Sequence, residues 1–561
     1  MIVTIPGVQR FVAESRRTAD LFASSEIMST LAATMVNSAR EAGEVVLPGV
    51  TGEAAGTPNR VVVLTPAGSG RTVAQKMADA AHERWERLRK RAQAAPVVGF
   101  PDVQWVVVPP MEEGYDAQWR CAQDLLGRRK RIRNFTFAPV TAERICSLSG
   151  RWPADRIHAD GHAKPGEYLS SIGLIKRFSG GQEKFPSTWS IASAPYRHAL
   201  SELAETDAEC SKEIAELREV LGHLDEVVRQ AQQGSRGHKG LPGIARLAGE
   251  NNAEWLRSVE GAWCAPETWN PGRLRRDYDL AVRPDETWCE LGQDAANALK
   301  RRAETHKLPP LSPYLAVLAQ DADEMGKTLG DRDRAIGSFR DWHQKVSAAL
   351  GEAGKQQRTA IEDCRGSVVY AGGDDLLALV PMATALKAAQ RSAEVFGTTL
   401  QGVVTGQTPT VSTALVFFHV SFPLQSAVAA AHQLLEEAKD RARPGLAVAV
   451  QRRSGERVRW VAPWRLKDDT ALAHVDALVQ AMGSAGTLSP GLAIGMERDA
   501  AELATLTPDW LERELRRRAI RQGMPEEVGP ALHALCVRRG DRVELPVDAL
   551  LVAHFLRGGN R

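Results

Sequence analysis

The sequence predicts an α+β protein in which two mixed regions of strands and helices are joined and followed by helical regions. Short apolar strands alternate with amphipathic helices over residues 1–115, as in a βαβ ferredoxin-like unit. Residues 309–465 show a similar succession around a strand–turn–strand segment at 366–380. Helical periodicity dominates residues 186–308 and 466–561.

Residues 116–185 form a fifth part, which we expect to be loop-rich and basic. A chain of 561 residues is long enough for about three to five compact units, in agreement with this division. The Pro309-Pro310 pair marks the boundary before the second mixed region, because a residue that precedes proline disfavours helix.

Composition and charge exclude some classes of protein. The net charge of +2 gives no strong overall field, so any contact with RNA must come from local basic patches. Seven scattered cysteines favour a reducing cytoplasm over a disulfide framework, and no signal peptide is expected because Met1 leads directly into a strand. The most apolar stretch, residues 411–431, is interrupted by His419, Pro423 and Gln425, so we expect no membrane span.

The most informative segment is a turn in which two glycines precede two aspartates. Gly372 and Gly373 can adopt the positive φ that a tight hairpin needs. Asp374 and Asp375 repel each other in an apolar hairpin unless a cation neutralises them. Because hard oxygen ligands favour Mg²⁺ or Mn²⁺, the turn indicates a metal site, with an ordinary polar turn as the alternative.

A second acidic group follows the apolar strand predicted at 314–320. Asp321 and Asp323 are two residues apart and therefore point to the same side of a strand end. If this strand lies beside the hairpin, up to four carboxylates converge, which suits two-metal nucleotidyl transfer. The turn after Asp323 is predicted to open a helix whose backbone amides could hold a triphosphate. The alternative is that Asp321 or Asp323 caps this helix.

These motifs resemble the palm domain in the large polymerase-like subunit of type III CRISPR effector complexes. Residues 321–327 read Asp-x-Asp-x-Met-Gly-Lys, and Gly-Gly-Asp-Asp follows at 372–375. The order of the flanking segments resembles the Cmr-type subunit of subtype III-B, and the resemblance extends from residue 1 to about 465. The flanking segments that carry it are residues 5–12, 15–25, 185–189, 411–419 and 446–456.

The resemblance implies two ferredoxin-like palm domains, the first non-catalytic because it has no Gly-Gly-Asp-Asp. It implies that ATP is joined into cyclic oligoadenylates with two Mg²⁺ or Mn²⁺ ions when target RNA pairs with guide RNA. The implied partners are both RNAs, a neighbouring subunit of the RAMP fold and a small helical subunit. Many members begin with a His-Asp nuclease domain, whereas no adjacent His-Asp pair occurs in this chain, so we expect no DNA cleavage from it.

The resemblance also assigns the site residues. Lys439 and backbone amides from about 322 to 325 are expected to hold phosphates, and Ser412 to line the base or ribose pocket. The alternatives are a surface lysine and a strand-end hydroxyl bonded within the protein. The expected catalytic residues are Asp321, Asp374 and Asp375; the metal ligands are these three with Asp323 and Ala322; the nucleotide-binding residues are Gly372, Gly373, Met325, Gly326, Lys327, Ser412 and Lys439.

Two basic clusters are candidate RNA contacts, with solvated helix faces as the alternative. The second cluster also suits a small helical neighbour. The candidates are Arg128, Arg129, Lys130 and Arg131 in the first cluster and Arg516 and Arg517 in the second.

The family often carries a Cys-x-x-Cys zinc site in the region before residue 185, and this sequence departs from that pattern. Ser149 stands three residues after Cys146, where a second cysteine is expected, and residues 168–171 read Tyr-Leu-Ser-Ser. Cys146, His158 and His162 offer three ligands, whereas a tetrahedral site needs four. We therefore predict no structural zinc.

Two other functions are open at this point. The chain could be an assembly and RNA-binding scaffold whose palm has lost activity. The missing zinc ligands show that parts of the sequence have diverged from the family pattern. It could also be a stand-alone signalling nucleotidyltransferase with another acceptor.

Overall fold

The structure is a computed structural model, and the fold is α+β with a four-stranded and a six-stranded sheet as its main sheets. No helix in the described part of the chain combines the length and the apolar character that crossing a membrane requires. The described residues are 1–49, 56–132, 144–155, 166–179, 185–231, 251–277, 283–452, 455–482, 490–539 and 542–558.

The first sheet has four antiparallel strands in the order β2-β3-β1-β4, which is the strand order of the ferredoxin-like fold. One face packs against α2 and α3 through Val3, Val61 and Val63. Its elements are β1 (Ile2–Thr4), α1 (Val8–Ala13), α2 (Thr18–Arg40), β2 (Glu44–Leu47), β3 (Arg60–Leu64), α3 (Gly70–Arg91), β4 (Gln104–Val106) and α4 (Tyr115–Arg131).

A helical region follows, and tryptophans form its core. Trp255, Trp263 and Trp269 are buried, and Trp288 stacks on His223 with ring centroids 3.7 Å apart. These rings therefore pack within the protein. The helices are α5 (Ser171–Ser179), α6 (Thr188–Ala192), α7 (Ala194–Ala204), α8 (Ala208–Ala231), α9 (Asn252–Ser258), α10 (Pro271–Asp277) and α11 (Glu286–Thr305), with 3₁₀ turns at Gly261–Cys264 and Pro266–Trp269.

The second sheet has six strands in the order β10-β9-β8-β5-β7-β6. Its four strands β8-β5-β7-β6 repeat the order of the first sheet, and only β8 and β9 are parallel because α15 crosses between them. Its elements are β5 (Tyr314–Ala322), α12 (Met325–Gly330), α13 (Phe339–Asp363), β6 (Ser367–Ala371), β7 (Asp375–Pro381), α14 (Ala385–Leu400), β8 (Val411–His419), α15 (Leu424–Arg441), β9 (Gly445–Arg452) and β10 (Gly455–Pro463); 3₁₀ turns lie at Arg332–Arg334 and Met382–Thr384.

The C-terminal elements share one hydrophobic core with the second sheet. Phe555 packs against Tyr314 and Phe417 of that sheet, with ring centroids 5.0 and 5.6 Å apart. These elements are β11 (Arg465–Leu466), β12 (Asp469–Thr470), α16 (Ala471–Met482), α17 (Pro490–Arg498), α18 (Ala500–Leu503), α19 (Pro508–Arg521), α20 (Val528–Ala534), β13 (Val537–Arg539), β14 (Arg542–Glu544) and α21 (Val547–Gly558).

Several element boundaries differ from those that periodicity predicts. Helical periodicity runs through residues 9–40, but two helices form there, because Asp20 accepts the Arg17 backbone N–H at 3.2 Å and starts a new helix. Helical periodicity also covers residues 331–350, but the helix begins only at Phe339, where the Ser338 hydroxyl accepts from the Asp341 N–H at 3.1 Å. Residues 116–131, which belong to the part expected to be loop-rich, lie in α4 instead.

The other face of the first sheet packs on the second mixed region. Ile2, Val62 and Val106 share a core with Trp342 and Val346 of α13. These strand residues alternate with those that face α2 and α3, as the period of two requires. The first sheet is therefore buried on both faces.

His343 on α13 is fully buried in this interface. Its Nε2 donates to the Leu329 carbonyl and its Nδ1 accepts from the Tyr115 hydroxyl, both at 2.8 Å, so the neutral ring satisfies both partners. Burial lowers the pKa of His343 to about 4, from 6.5.

We predict that protonation of His343 weakens the fold in acid. A depressed folded-state pKa gives stability that is complete above pH 6.5 and is lost as the pH falls towards 4, by up to about 3 kcal/mol. The measurement is the thermal midpoint against pH for the wild type and for His343→Gln, which has no titrating ring. Equal slopes in the two proteins over this pH range would contradict the prediction.

Candidate active site

Strand register brings together three of the predicted aspartates. Asp321 lies directly opposite Asp375 on β7 and opposite Ser412 on β8. The Ala322 N–H donates to the Asp374 carbonyl at 2.8 Å and fixes the hairpin to the end of β5. Asp321, Asp374 and Asp375 therefore share one edge of the second sheet.

The turn that presents these aspartates depends on one of its two glycines. Gly373 has a φ of 105°, and an added Cβ would lie 3.2 Å from the Leu350 Cβ. Gly372 is not among the glycines with positive φ, so of these two glycines Gly373 is the one that uses this region. Its N–H donates to the Asp375 carbonyl at 2.9 Å and closes the turn.

The carboxyl groups at this edge crowd one another. Desolvation by the surrounding chain and repulsion from Asp321 raise the pKa of Asp374, although part of its side chain reaches solvent. Burial, a hydrogen bond with Asp321 and the charge of Asp374 raise the pKa of Asp375 well above its usual value. A hydrogen bond between two carboxyl groups needs one proton, so protonation or a cation must offset their charge.

Lys439 on α15 makes an ion pair with Asp321. Leu315, Val317 and Ala319 face α15 in the sheet core, and Asp321 continues the same row of alternate residues. The Lys439 side chain is only 12% exposed, so the alternative of an ordinary surface lysine is excluded.

Asp323 is held at the start of β8. Its carboxylate accepts from the Ser412 hydroxyl at 2.7 Å and from the Thr410 hydroxyl at 2.8 Å. Burial outweighs these hydrogen bonds and raises the pKa of Asp323. Neither Asp321 nor Asp323 caps α12, whose N-cap is Glu324 with no side-chain cap, so that alternative is also excluded.

Ser412 is fully buried and its hydroxyl is used within the protein. Besides donating to Asp323, it accepts from the Gly445 N–H at 3.1 Å. This arrangement matches the strand-end alternative more closely than a role in a base pocket. Ser412 thereby ties the ends of β5, β8 and β9 together beside the aspartates.

The predicted cradle of backbone amides is wrong for two of its members. The Ala322 N–H donates to Asp374 and the Asp323 N–H donates to Thr410, each to a carbonyl at 2.8 Å. The Met325 side chain is buried in the core, and nothing lies within 4 Å of a Cβ added to Gly326. Lys327 is exposed and pairs with Glu324 at 2.5 Å.

The two basic clusters lie on helices and are partly paired with carboxylates. Arg128 contacts Asp124 at 2.7 Å in the last turns of α4, where Arg129, Lys130 and Arg131 also lie. On α19, Arg516 contacts Glu526 at 2.5 Å and Arg517 contacts Glu514 at 2.7 Å. Exposed ion pairs of this kind contribute little to the stability of the fold. These arginines can therefore exchange their carboxylate partners for phosphate groups.

Cys146 is buried in the region expected to hold a degenerate zinc site. Burial raises the pKa of its thiol, but hydrogen bonds from the Ser170 hydroxyl and from backbone amides outweigh burial and lower it. His158 and His162 lie outside the described residues. The absence of structural zinc stays a prediction.

The donor set at the sheet edge suits a hard divalent cation by chemistry. Asp321, Asp374 and Asp375 supply carboxylate oxygens, which Mg²⁺ and Mn²⁺ prefer. Within the described ranges, no three His, Cys, Asp or Glu side chains already lie close enough together to hold one ion. Binding of a divalent cation would therefore replace two contacts of Asp321, one with the Asp375 carboxyl group and one with Lys439.

Comparison with known protein families shows which class of domain contains this sheet edge. Residues 314–447 match the family model described as Cas10/Cmr2, second palm domain. This range begins at β5, contains the acidic hairpin and ends in β9. The chain is thus an α+β protein with a palm domain that carries an acidic sheet edge.

The amino-terminal region matches the same family. Residues 1–90 match the model described as CRISPR-associated protein Cmr2, N-terminal. The CRISPR system Cmr subunit Cmr2 of Pyrococcus furiosus is 28% identical over 252 residues, which cover 41% of this chain and 28% of that relative. Both mixed regions of the chain therefore match models of the Cas10/Cmr2 family, the large subunits of type III-B CRISPR complexes.

Two solved structures share the fold along the whole chain. The match to type III-B Cmr-beta in the apo state has a TM-score of 0.63 at 14% sequence identity, and it covers 100% of this chain and 81% of the Cmr-beta chain. Type III-B Cmr-beta bound to cognate target RNA has a TM-score of 0.62 at 14% identity, with coverages of 100% and 83%.

Proposed function

We propose that this chain is the large subunit of a type III-B antiviral complex and converts ATP into cyclic oligoadenylates when target RNA pairs with guide RNA. The observation that carries the proposal is the placement of Asp321 opposite Asp375, beside Asp374 and in contact with Lys439. Paired carboxylates with an adjacent lysine suit nucleotidyl transfer.

In this proposal Asp321, Asp374 and Asp375, with the Ala322 carbonyl, hold two Mg²⁺ or Mn²⁺ ions. Such ions would lower the pKa of the attacking 3′-hydroxyl and neutralise charge at the α-phosphate. Lys439 is freed from Asp321 and holds the triphosphate. Thr410 and Ser412 keep Asp323 fixed and thereby hold the ends of β5 and β8 in register.

Four of the five parts defined by sequence have assigned roles in this proposal. Residues 1–115 form a first, non-catalytic palm, and 309–465 form the catalytic one. The basic clusters on α4 and α19 bind RNA or a small helical subunit. A neighbouring RAMP-fold subunit and guide RNA complete the complex, which acts in the cytoplasm without a membrane.

The decisive experiment assembles the chain with its complex and incubates it with Mg²⁺, ATP and matched or mismatched RNA, and then determines product masses. We expect cyclic oligoadenylates with matched RNA only. RNA-independent synthesis would indicate a stand-alone enzyme, and a product with another acceptor would indicate a different transferase.

An inactive scaffold is the second candidate, and the closed contacts of Asp321 with Lys439 and Asp375 favour it. Titration with Mn²⁺ separates the two. A scaffold assembles normally but shows no Mn²⁺ binding that depends on Asp374 and Asp375.

A further inference from the structure

The first sheet carries a row of polar residues on the face that packs against the second mixed region. Arg60, Thr4 and Gln104 lie side by side across β3, β1 and β4. They continue the rows that contain Val62, Ile2 and Val106, which share a hydrophobic core with α13. This polar row therefore lies along the boundary between the two mixed regions.

Two atoms of this polar row are buried without a partner among the described residues. They are Nε of Arg60, a donor, and Oε1 of Gln104, an acceptor. The Arg60 guanidinium is held from one side, since its Nη2 donates to Oε1 of Gln123 on α4. A buried charged donor without an acceptor is costly, so an arginine held in this way suits an anionic ligand.

The polar row lies next to the acidic hairpin. Gly56, which precedes β3 and has a φ of 82°, approaches the hairpin so closely that an added Cβ would lie 2.7 Å from the Ala371 carbonyl oxygen. The charge of Arg60 acts on Asp374 without a direct ion pair between them. The space between the guanidinium and the carboxylate is thus bounded by both mixed regions.

We infer that Arg60 is a phosphate-binding residue, which the first mixed region contributes to the nucleotide held at the Asp374–Asp375 hairpin. Gln123 is its positioning residue. A guanidinium offers two parallel N–H donors to one phosphate, and the buried Nε has no partner among the described residues. This inference rests on the proposed function, since it needs a nucleoside triphosphate at the hairpin.

The test measures equilibrium binding of Mg²⁺-ATP and of adenosine to the full chain by calorimetry. For Arg60→Gln we expect about tenfold weaker ATP binding and unchanged adenosine binding, because only the phosphates are affected. Arg60→Lys keeps the charge without the planar fork and should restore part of the loss. Arg87→Gln, at an exposed position of α3 in the same mixed region, is the matched control and should bind ATP like the wild type.

The outcomes separate this inference from the proposed function. If the wild type binds no ATP, both fail. If the wild type binds ATP and Arg60→Gln binds it equally well, or loses ATP and adenosine to the same extent, only the role of Arg60 is overturned. If Arg60→Gln lowers the thermal midpoint, Gln123→Ala decides: it keeps the guanidinium but removes its partner, and we expect it to weaken ATP binding severalfold and spare adenosine.

Discussion

Replacing Asp374 and Asp375 together by alanine should reduce cyclic oligoadenylate formation by at least about a thousandfold. Both side chains leave the sheet edge where Asp321 lies, so the remaining carboxylate cannot hold two divalent ions. The backbone of the turn depends on Gly373 and on the Ala322 contact with the Asp374 carbonyl, which alanine preserves. Product mass spectrometry with matched RNA measures the loss.

The chain offers a matched control for this variant. Glu362 and Asp363 are adjacent, acidic and exposed at the end of α13 in the same region. Glu362→Gln with Asp363→Asn removes the same formal charge and should leave synthesis unchanged. The double alanine variant should still enter the complex at wild-type stoichiometry, and products formed at the wild-type rate would refute the assignment of the site.

Local patterns were enough to predict the acidic centre. Asp321 falls at the end of an apolar run, and the two glycines mark a hairpin whose second strand begins at Asp375. The alternation of side chains along a strand and the geometry of a tight turn each involve few neighbouring residues, so the sequence indicates them directly. That β5 lies beside β7 is a condition of the predicted acidic centre, and the strand register confirms it.

What the sequence could not predict depends on contacts between distant segments. Asp321 and Asp323 look equivalent by spacing, yet one contacts Lys439 and the other Ser412 and Thr410. This difference arises just beyond the end of β5, where Asp323 lies against the start of β8. Arg60 lies more than three hundred residues from the hairpin, and only an Asn-Arg pair before a strand marks it.

Substitution of Lys439 by methionine should raise the KM for ATP and lower product formation by about a hundredfold. Methionine fills a similar volume but lacks the ammonium group that contacts Asp321 and that we assign to the triphosphate. Loss of a phosphate contact weakens ATP binding, whereas loss of a purely structural ion pair lowers the thermal midpoint and leaves KM unchanged. Rates measured over a range of ATP concentrations, with melting curves, distinguish these two roles.

A second substitution isolates the Asp321 contact from the phosphate contact. Asp321→Asn removes the same ion pair from the other side, so a double-mutant cycle on thermal stability gives the energy of the pair alone. Lys387→Met, at an exposed position of α14, is the control for loss of one positive charge and should leave KM unchanged. A wild-type KM in Lys439→Met would show that Lys439 only neutralises Asp321, and the triphosphate would then need another cation, for which Arg60 is the candidate.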